Sequence, residues 1–193
     1  MNRGATWWVG LALLLAAMAL ALSPMPHEQL DWHPVQALTQ PWRAWSAVAV
    51  HWTAWHLVAN LIGCVVVAVF GVAASVPPRA TLAWFLAWPL AHLALLAQPA
   101  LSSYGGLSGV LHAGVAIAAF QLLRRERGSR RAVGAAVLLG LAVKLALETP
   151  WVAPTRDLAG WDFPVAPIAH VTGALAGLLC AWLVDLVAAR ATP

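Results

Sequence analysis

Residues 102–114 read Ser-Ser-Tyr-Gly-Gly-Leu-Ser-Gly-Val-Leu-His-Ala-Gly, a glycine-rich turn entering an apolar run. From Gly105 onward it carries one hydroxyl, Ser108, and one imidazole, His112, four residues later. Gly105, Gly106 and Gly109 allow other backbones to come close, and they leave the N–H groups that open the following helix free to bind an anion. A nucleophile with an oxyanion hole needs that equipment. The same residue types also suit a close contact between membrane helices, where Gly and Ser are common. The remaining helices must decide between the two.

Composition sets the class of those helices. Of 193 residues, 62% are hydrophobic and 9% charged, and the mean hydropathy is +0.77; a soluble domain carries roughly 25% charged residues. The chain reads as all-α, a polytopic membrane protein forming one domain over residues 1–193. Cys64 and Cys180 lie inside apolar runs and read as small core residues, not as a disulfide or a metal site. The net charge of +4 comes mostly from one arginine cluster, which in such a chain reports topology and not nucleic acid.

Six helices are expected, at about 7–22, 44–75, 80–97, 106–123, 132–147 and 166–189. The first competes with a cleaved signal peptide, since Arg3, the apolar centre and Ala19-Leu20-Ala21 fit that pattern. Retention is favoured because the rest of the topology needs it. Pro89 is expected to bend the third helix. Arg124, Arg125, Arg127, Arg130 and Arg131 place the loop between the fourth and fifth helices in the cytoplasm, and alternation then puts both termini there. Arg3, Arg79 and Arg190 fall on the same side, while Arg43 and Arg156 face out.

Depth then groups the polar residues. Ser108 and His170 begin helices that enter from outside, and His56 and Asn60 lie in the outer half of the second helix. Polar groups are costly in a bilayer and normally face the bundle interior or a cavity, so four at one level exceed scattered glue. Gly173, Gly177 and Ala181 form a small-residue stripe on about the face that carries His170; Gly105, Gly109 and Ala113 repeat the spacing beside Ser108. Two such stripes let backbones approach closely, as a serine and its base must.

These residues resemble the rhomboid intramembrane serine proteases over essentially the whole chain. Gly106-Leu107-Ser108-Gly109 is similar to the family's GxSG, and His170-Val-Thr-Gly173-Ala-Leu-Ala-Gly177 to its HxxGxxxG. His56-Leu-Val-Ala-Asn60 is similar to its HxxxN, and Trp42-Arg43 to the WR pair of its first loop. The resemblance implies a six-helix bundle and a dyad, with Ser108 as nucleophile, His170 as base, and His56, Asn60 and the Ser108 N–H around the oxyanion. Gly106, Gly109, Gly173 and Gly177 would support that geometry. His112 stands where many members carry an aromatic that packs on the catalytic imidazole, and it suits either stacking or hydrogen bonding there. None of Glu148, Asp157 or Asp162 is assigned as a third member, because all sit at helix ends or in loops.

Within the family the chain is most similar to the rhombosortases, minimal members linked to exported proteins with a short C-terminal GlyGly-type anchor. Ala113 departs from a glycine expected after His112. The implied partner is a membrane-anchored protein in the lipid bilayer of a bacterial inner membrane, cut on its periplasmic side. No cofactor, metal or nucleic acid is expected. Competing functions are a rhomboid protease of other membrane substrates, a non-catalytic binder of membrane segments and a small transporter. Blander roles are expected elsewhere: His51 as an interhelical hydrogen-bonding group, His92 satisfying backbone freed at the Pro89 kink, and Lys144/Glu148 as a neutralised i,i+4 pair. His27 and His33 lack ligand spacing, and the twelve tryptophans are mostly interfacial anchors.

Overall fold

A computed structural model describes residues 3–157 and 159–190. Its elements are α1 (Arg3–Leu22), α2 (Arg43–Ser46), α3 (Ala54–Ala73), α4 (Pro78–Leu93), α5 (Ser108–Arg125), α6 (Gly128–Leu147) and α7 (Pro167–Arg190), with short 3-10 turns at His27–Gln29, Pro34–Gln36, Ala47–Ala49 and Ala94–Ala97. Among the described residues there are two isolated bridges and no strand.

α5 is the axis of the bundle, buried along most of its length from Gly109 to Leu122. α4 and α7 pack along it, α3 lies beside it, and α1 closes the bundle against α3 and α4. Small residues set these approaches. Gly71 lies under the Trp8 ring, so that a Cβ there would stand 2.0 Å from Nε1, and Trp8 Nε1 donates to the Val67 carbonyl at 2.9 Å. The Trp8 ring meets Trp84 at 4.4 Å between centroids. α6 is the exception: only its Gly134 is buried, set against the Ala119 carbonyl of α5.

Four helices, Arg3–Leu22, Ala54–Ala73, Pro78–Ala97 and Pro167–Arg190, are long and apolar enough to cross a membrane. The chain is an integral membrane protein. α5 and α6 fall outside that set. α5 has 18 residues and ends on Arg124 and Arg125, and α6 carries Arg130 and Arg131 near its start and Lys144 near its end. Length and composition therefore support four of the six expected spans.

The expected second helix at 44–75 is corrected. Residues 43–49 form α2 and a 3-10 turn, Val50 is extended, and the long helix begins only at Ala54. Thr53 caps that start, its hydroxyl accepting from the His56 N–H at 3.1 Å. The fourth helix begins at Ser108 and not at 106, because Gly106 has φ +126° and leaves the helical region. The other ends shift by a few residues.

Residues 23–53 fold over one end of the bundle around Arg43. Its guanidinium donates to the Asp31 carbonyl at 2.8 Å, the Asp31 carboxylate at 3.0 Å and the Glu28 carbonyl at 2.7 Å, and it also bonds Gln40. Trp32 and Tyr104 exchange backbone hydrogen bonds at 2.7 and 2.8 Å, which ties this segment to the glycine turn before α5. A second apolar cluster, including Trp32, Leu95, Leu101, Tyr104 and Ala169, fills the space beneath.

Candidate active site

Ser108 is the first residue of α5, where a backbone N–H has no partner within its own helix. The turn that delivers it is held by the Gly106 N–H, which donates to Ala47 at 2.8 Å. Gly106 is required twice over. Its φ is positive, and a Cβ there would lie 2.9 Å from the His56 ring.

His170 lies one turn into α7, buried, with Nε2 3.1 Å from the Ser108 hydroxyl oxygen. The glycines set this distance. A Cβ on Gly173 would fall 1.9 Å from the Gly109 carbonyl oxygen, and one on Gly177 would fall 2.6 Å from that of Ala113. Gly109 in turn faces the Ala169 carbonyl. Gly105 does not continue the stripe, as the spacing had suggested; it lies against Val50 and Trp52.

The His112 ring stacks on His170 at 4.2 Å with 14° between planes. Its Nδ1–H donates to the Ser108 carbonyl at 2.6 Å, so His112 stacks on His170 without hydrogen-bonding it. His56 lies across the cavity from this pair. It stacks on Phe163 at 4.3 Å and sits 4.8 Å from the His51 ring. The Nδ1 of His56 and the Nδ2 of Asn60 are buried without a hydrogen-bond partner. Buried polar nitrogens of this kind are costly unless something binds to them.

One cavity of about 670 Å³ gathers His56, Asn60, Ser108, His112, Glu148 and His170 on its wall. Trp161 and Phe163, from the segment joining α6 to α7, also line it. That segment is pinned by Arg156, which pairs with Val165 through the backbone and donates to the Glu148 carbonyl at 2.9 Å and the Thr149 hydroxyl at 2.7 Å. A second cavity of about 430 Å³ runs between α3 and α6 and also reaches Asn60, Ser108, His112 and Lys144.

Sequence reasoning left Glu148 out of the site, and here the structure differs. Glu148 Oε2 lies 2.8 Å from His170 Nδ1, and its other oxygen is 2.6 Å from Lys144. The available signal was the Lys144/Glu148 spacing at the end of a helix that reaches the level of His170. Tyr104 was missed as well. Its hydroxyl accepts from the Gly109 N–H at 3.4 Å and lies 3.5 Å from the Ser108 hydroxyl, and burial pushes its pKa up. Asp162 does not line the cavity, and Asp157 does not either. His92 serves a different contact from the one expected: it donates to the Ala44 carbonyl at 2.6 Å, joining α4 to α2. His51 bonds the nearby Ala49 carbonyl and not another helix, and burial lowers its pKa. His33 pairs with Asp31 at 2.9 Å.

A Ser–His contact beside buried donors can transfer an acyl group: the imidazole takes the hydroxyl proton as the oxygen attacks a carbonyl, and the donors bind the resulting oxyanion. No curated protein and no solved structure matches the chain. A Rhomboid domain family model matches residues 38–185, from the segment before α2 into α7. That match covers well over half of the sequence, and the chain belongs to the rhomboid family, whose members are generally intramembrane serine proteases acting on membrane proteins.

Proposed function

We propose that this protein is an intramembrane serine endopeptidase in which Ser108 is the nucleophile and His170 the general base. The observation that carries this is the 3.1 Å contact between Ser108 Oγ and His170 Nε2 in a cavity that Asn60, with its unpartnered amide nitrogen, also lines. As Oγ bonds to the scissile carbonyl carbon, its proton passes to Nε2, and the carbonyl oxygen becomes an oxyanion among the Ser108 N–H, Asn60 and His56. The imidazolium then gives the proton to the departing amine nitrogen as the C–N bond breaks. Water repeats the sequence on the ester, leaving a carboxylic acid and free Ser108.

The single domain of residues 1–193 would cross the membrane six times, with α1 retained, α5 and α6 included, and both termini cytoplasmic. The arginines clustered after α5 support that orientation, since they lie at the end of α5 opposite Ser108. The site then faces the periplasm of a bacterial inner membrane. Ser108 sits at the first position of α5, within reach of a peptide bond near the outer end of an anchoring helix. We assign the substrate as an exported protein held by a C-terminal GlyGly-type tail, which makes the enzyme a rhombosortase. A reporter fused after Arg127 should lie in the cytoplasm, and reporters at Pro26 or Pro154 outside.

A fluorophosphonate probe tests the chemistry. The wild type should be labelled and Ser108→Ala should not. Equal labelling of the two overturns the proposal.

A further inference from the structure

We propose that Glu148 is a positioning residue that makes the Ser108–His170 pair a triad, and that Lys144 opposes it at the same nitrogen; this rests on the protease reading above. For Nε2 to receive the Ser108 proton, the neutral imidazole must carry its own proton on Nδ1. Two groups compete for that nitrogen. The Glu148 carboxylate stands 2.8 Å from Nδ1 and can only accept, which selects the Nδ1–H tautomer. The Lys144 ammonium stands 3.4 Å from Nδ1 and can only donate, which would select the other tautomer and abolish the base. The carboxylate is nearer. It also engages Lys144 through its second oxygen at 2.6 Å, a much shorter contact than the ammonium makes with the ring.

Glu148 is held for this role. It follows the last residue of α6, its N–H bonds back to the Lys144 carbonyl at 3.1 Å, and its own carbonyl is fixed by Arg156 at 2.9 Å. Burial opposes its charge, but hydrogen bonds and charge from His170 and Lys144 outweigh burial and hold the carboxyl down at about 2. It therefore stays ionised and does not itself take the proton. Ser108 and the stacked His112 face the imidazole from α5, Lys144 and Glu148 from α6, and His56 lies across the cavity on α3. Of these, Glu148 alone supplies a negative charge.

Removing the carboxylate destabilises the imidazolium, and removing the ammonium stabilises it. The two substitutions should move the acid limb of activity in opposite directions. The test uses the full chain in detergent micelles and follows the rate at which a fluorophosphonate labels Ser108 as pH is varied. In that reaction Oγ bonds to phosphorus, fluoride leaves, and the hydroxyl proton goes to Nε2. Glu148→Gln should label about 10²- to 10⁴-fold more slowly, the range of a lost general-base contribution, with its acid limb at lower pH. Glu148→Asp should restore part of the rate. Lys144→Gln should move the limb to higher pH.

A Glu148→Gln protein that labels as fast as the wild type, or more slowly with an unmoved limb, overturns the proposal. Should that variant fail to fold, Lys144→Gln decides, and an unmoved or lowered limb there overturns it equally. Labelling of Ser108→Ala at the wild-type rate would instead sink the protease reading itself.

Discussion

Gly173 rides on Gly109 so closely that a Cβ at position 173 would stand 1.9 Å from the Gly109 carbonyl oxygen. The atom in the way is backbone and cannot rotate aside, so α7 must move off α5. His170 is one turn from this contact and Ser108 is next to it. The space denied to a methyl group thus sets the distance between Ser108 and His170.

Gly173→Ala tests that coupling directly. Overpacking of a tight contact costs about 1–3 kcal/mol, and a misplacement of about 1 Å at reacting groups can lower the rate about 10²-fold. We expect a membrane-inserted protein with reduced thermal stability and Ser108 labelling slowed by about that factor. Labelling at the wild-type rate would show that the helices have freedom this geometry denies them.

Alanine at the reacting residues should behave as loss of one unit. Ser108→Ala and His170→Ala should each abolish cleavage, and the double variant should be no worse than either. Asn60→Ala removes a candidate oxyanion donor and should lower kcat by about 10²-fold or more, with a smaller effect on KM. An Asn60→Ala enzyme with normal kcat would take that amide out of the oxyanion site.

Much of this site is legible in the sequence because polar residues stand out in apolar helices. Ser108, His170, His56 and Asn60 share a level that can be counted from the helix starts, and Gly109, Ala113, Gly173 and Gly177 announce the close packing that joins two of them. Glu148 is not legible in the same way. Its contact with His170 depends on where α6 ends and how the next segment turns, and α6 is tied to the bundle mainly through Gly134. The break before α3 is hidden for a related reason. Val50-His51-Trp52-Thr53 contains no proline or glycine, and Val50 is extended where it packs on Gly105 from a distant part of the chain. Thr53 was the one local signal, a capping residue three positions before His56. The spacing of Gly105 misled because the turn at Gly106 rotates it off the α5 face.

His112 separates packing from proton chemistry. Its ring lies flat on His170, and its Nδ1–H is used on the Ser108 carbonyl. Stacked aromatic pairs contribute about 0.5–1.5 kcal/mol beyond buried area, so His112→Ala should slow labelling up to about tenfold. His112→Phe keeps a flat ring and loses the nitrogen, and should recover most of that rate. If phenylalanine were as slow as alanine, the hydrogen bond to Ser108 and not the stack would be what matters.

The substrate prediction follows from where Ser108 sits. Ser108 is the first residue of α5, and as the proposed nucleophile it would reach a peptide bond near the end of an anchoring helix and not one at the centre. A helical bond is shielded by its own hydrogen bonds, so the anchor must unwind locally before Oγ can approach. Each glycine weakens a helix by about 1 kcal/mol relative to alanine, and two adjacent glycines just outside an apolar segment would open it at the level of the site. The cavity can receive such an extended stretch. It is walled on one side by Trp161 and Phe163, and the gap between α3 and α6 offers a lateral approach that also reaches Ser108. On the proposed orientation the body of the substrate would lie outside, and cutting would release it. A reporter anchored by a C-terminal Gly-Gly segment, an apolar helix and a basic tail should be cleaved near the glycines, as mass measurement of the released product would show. Replacing both glycines with leucine should suppress release. Equal cutting of the leucine anchor would remove the case for a rhombosortase and leave a rhomboid protease of broader specificity.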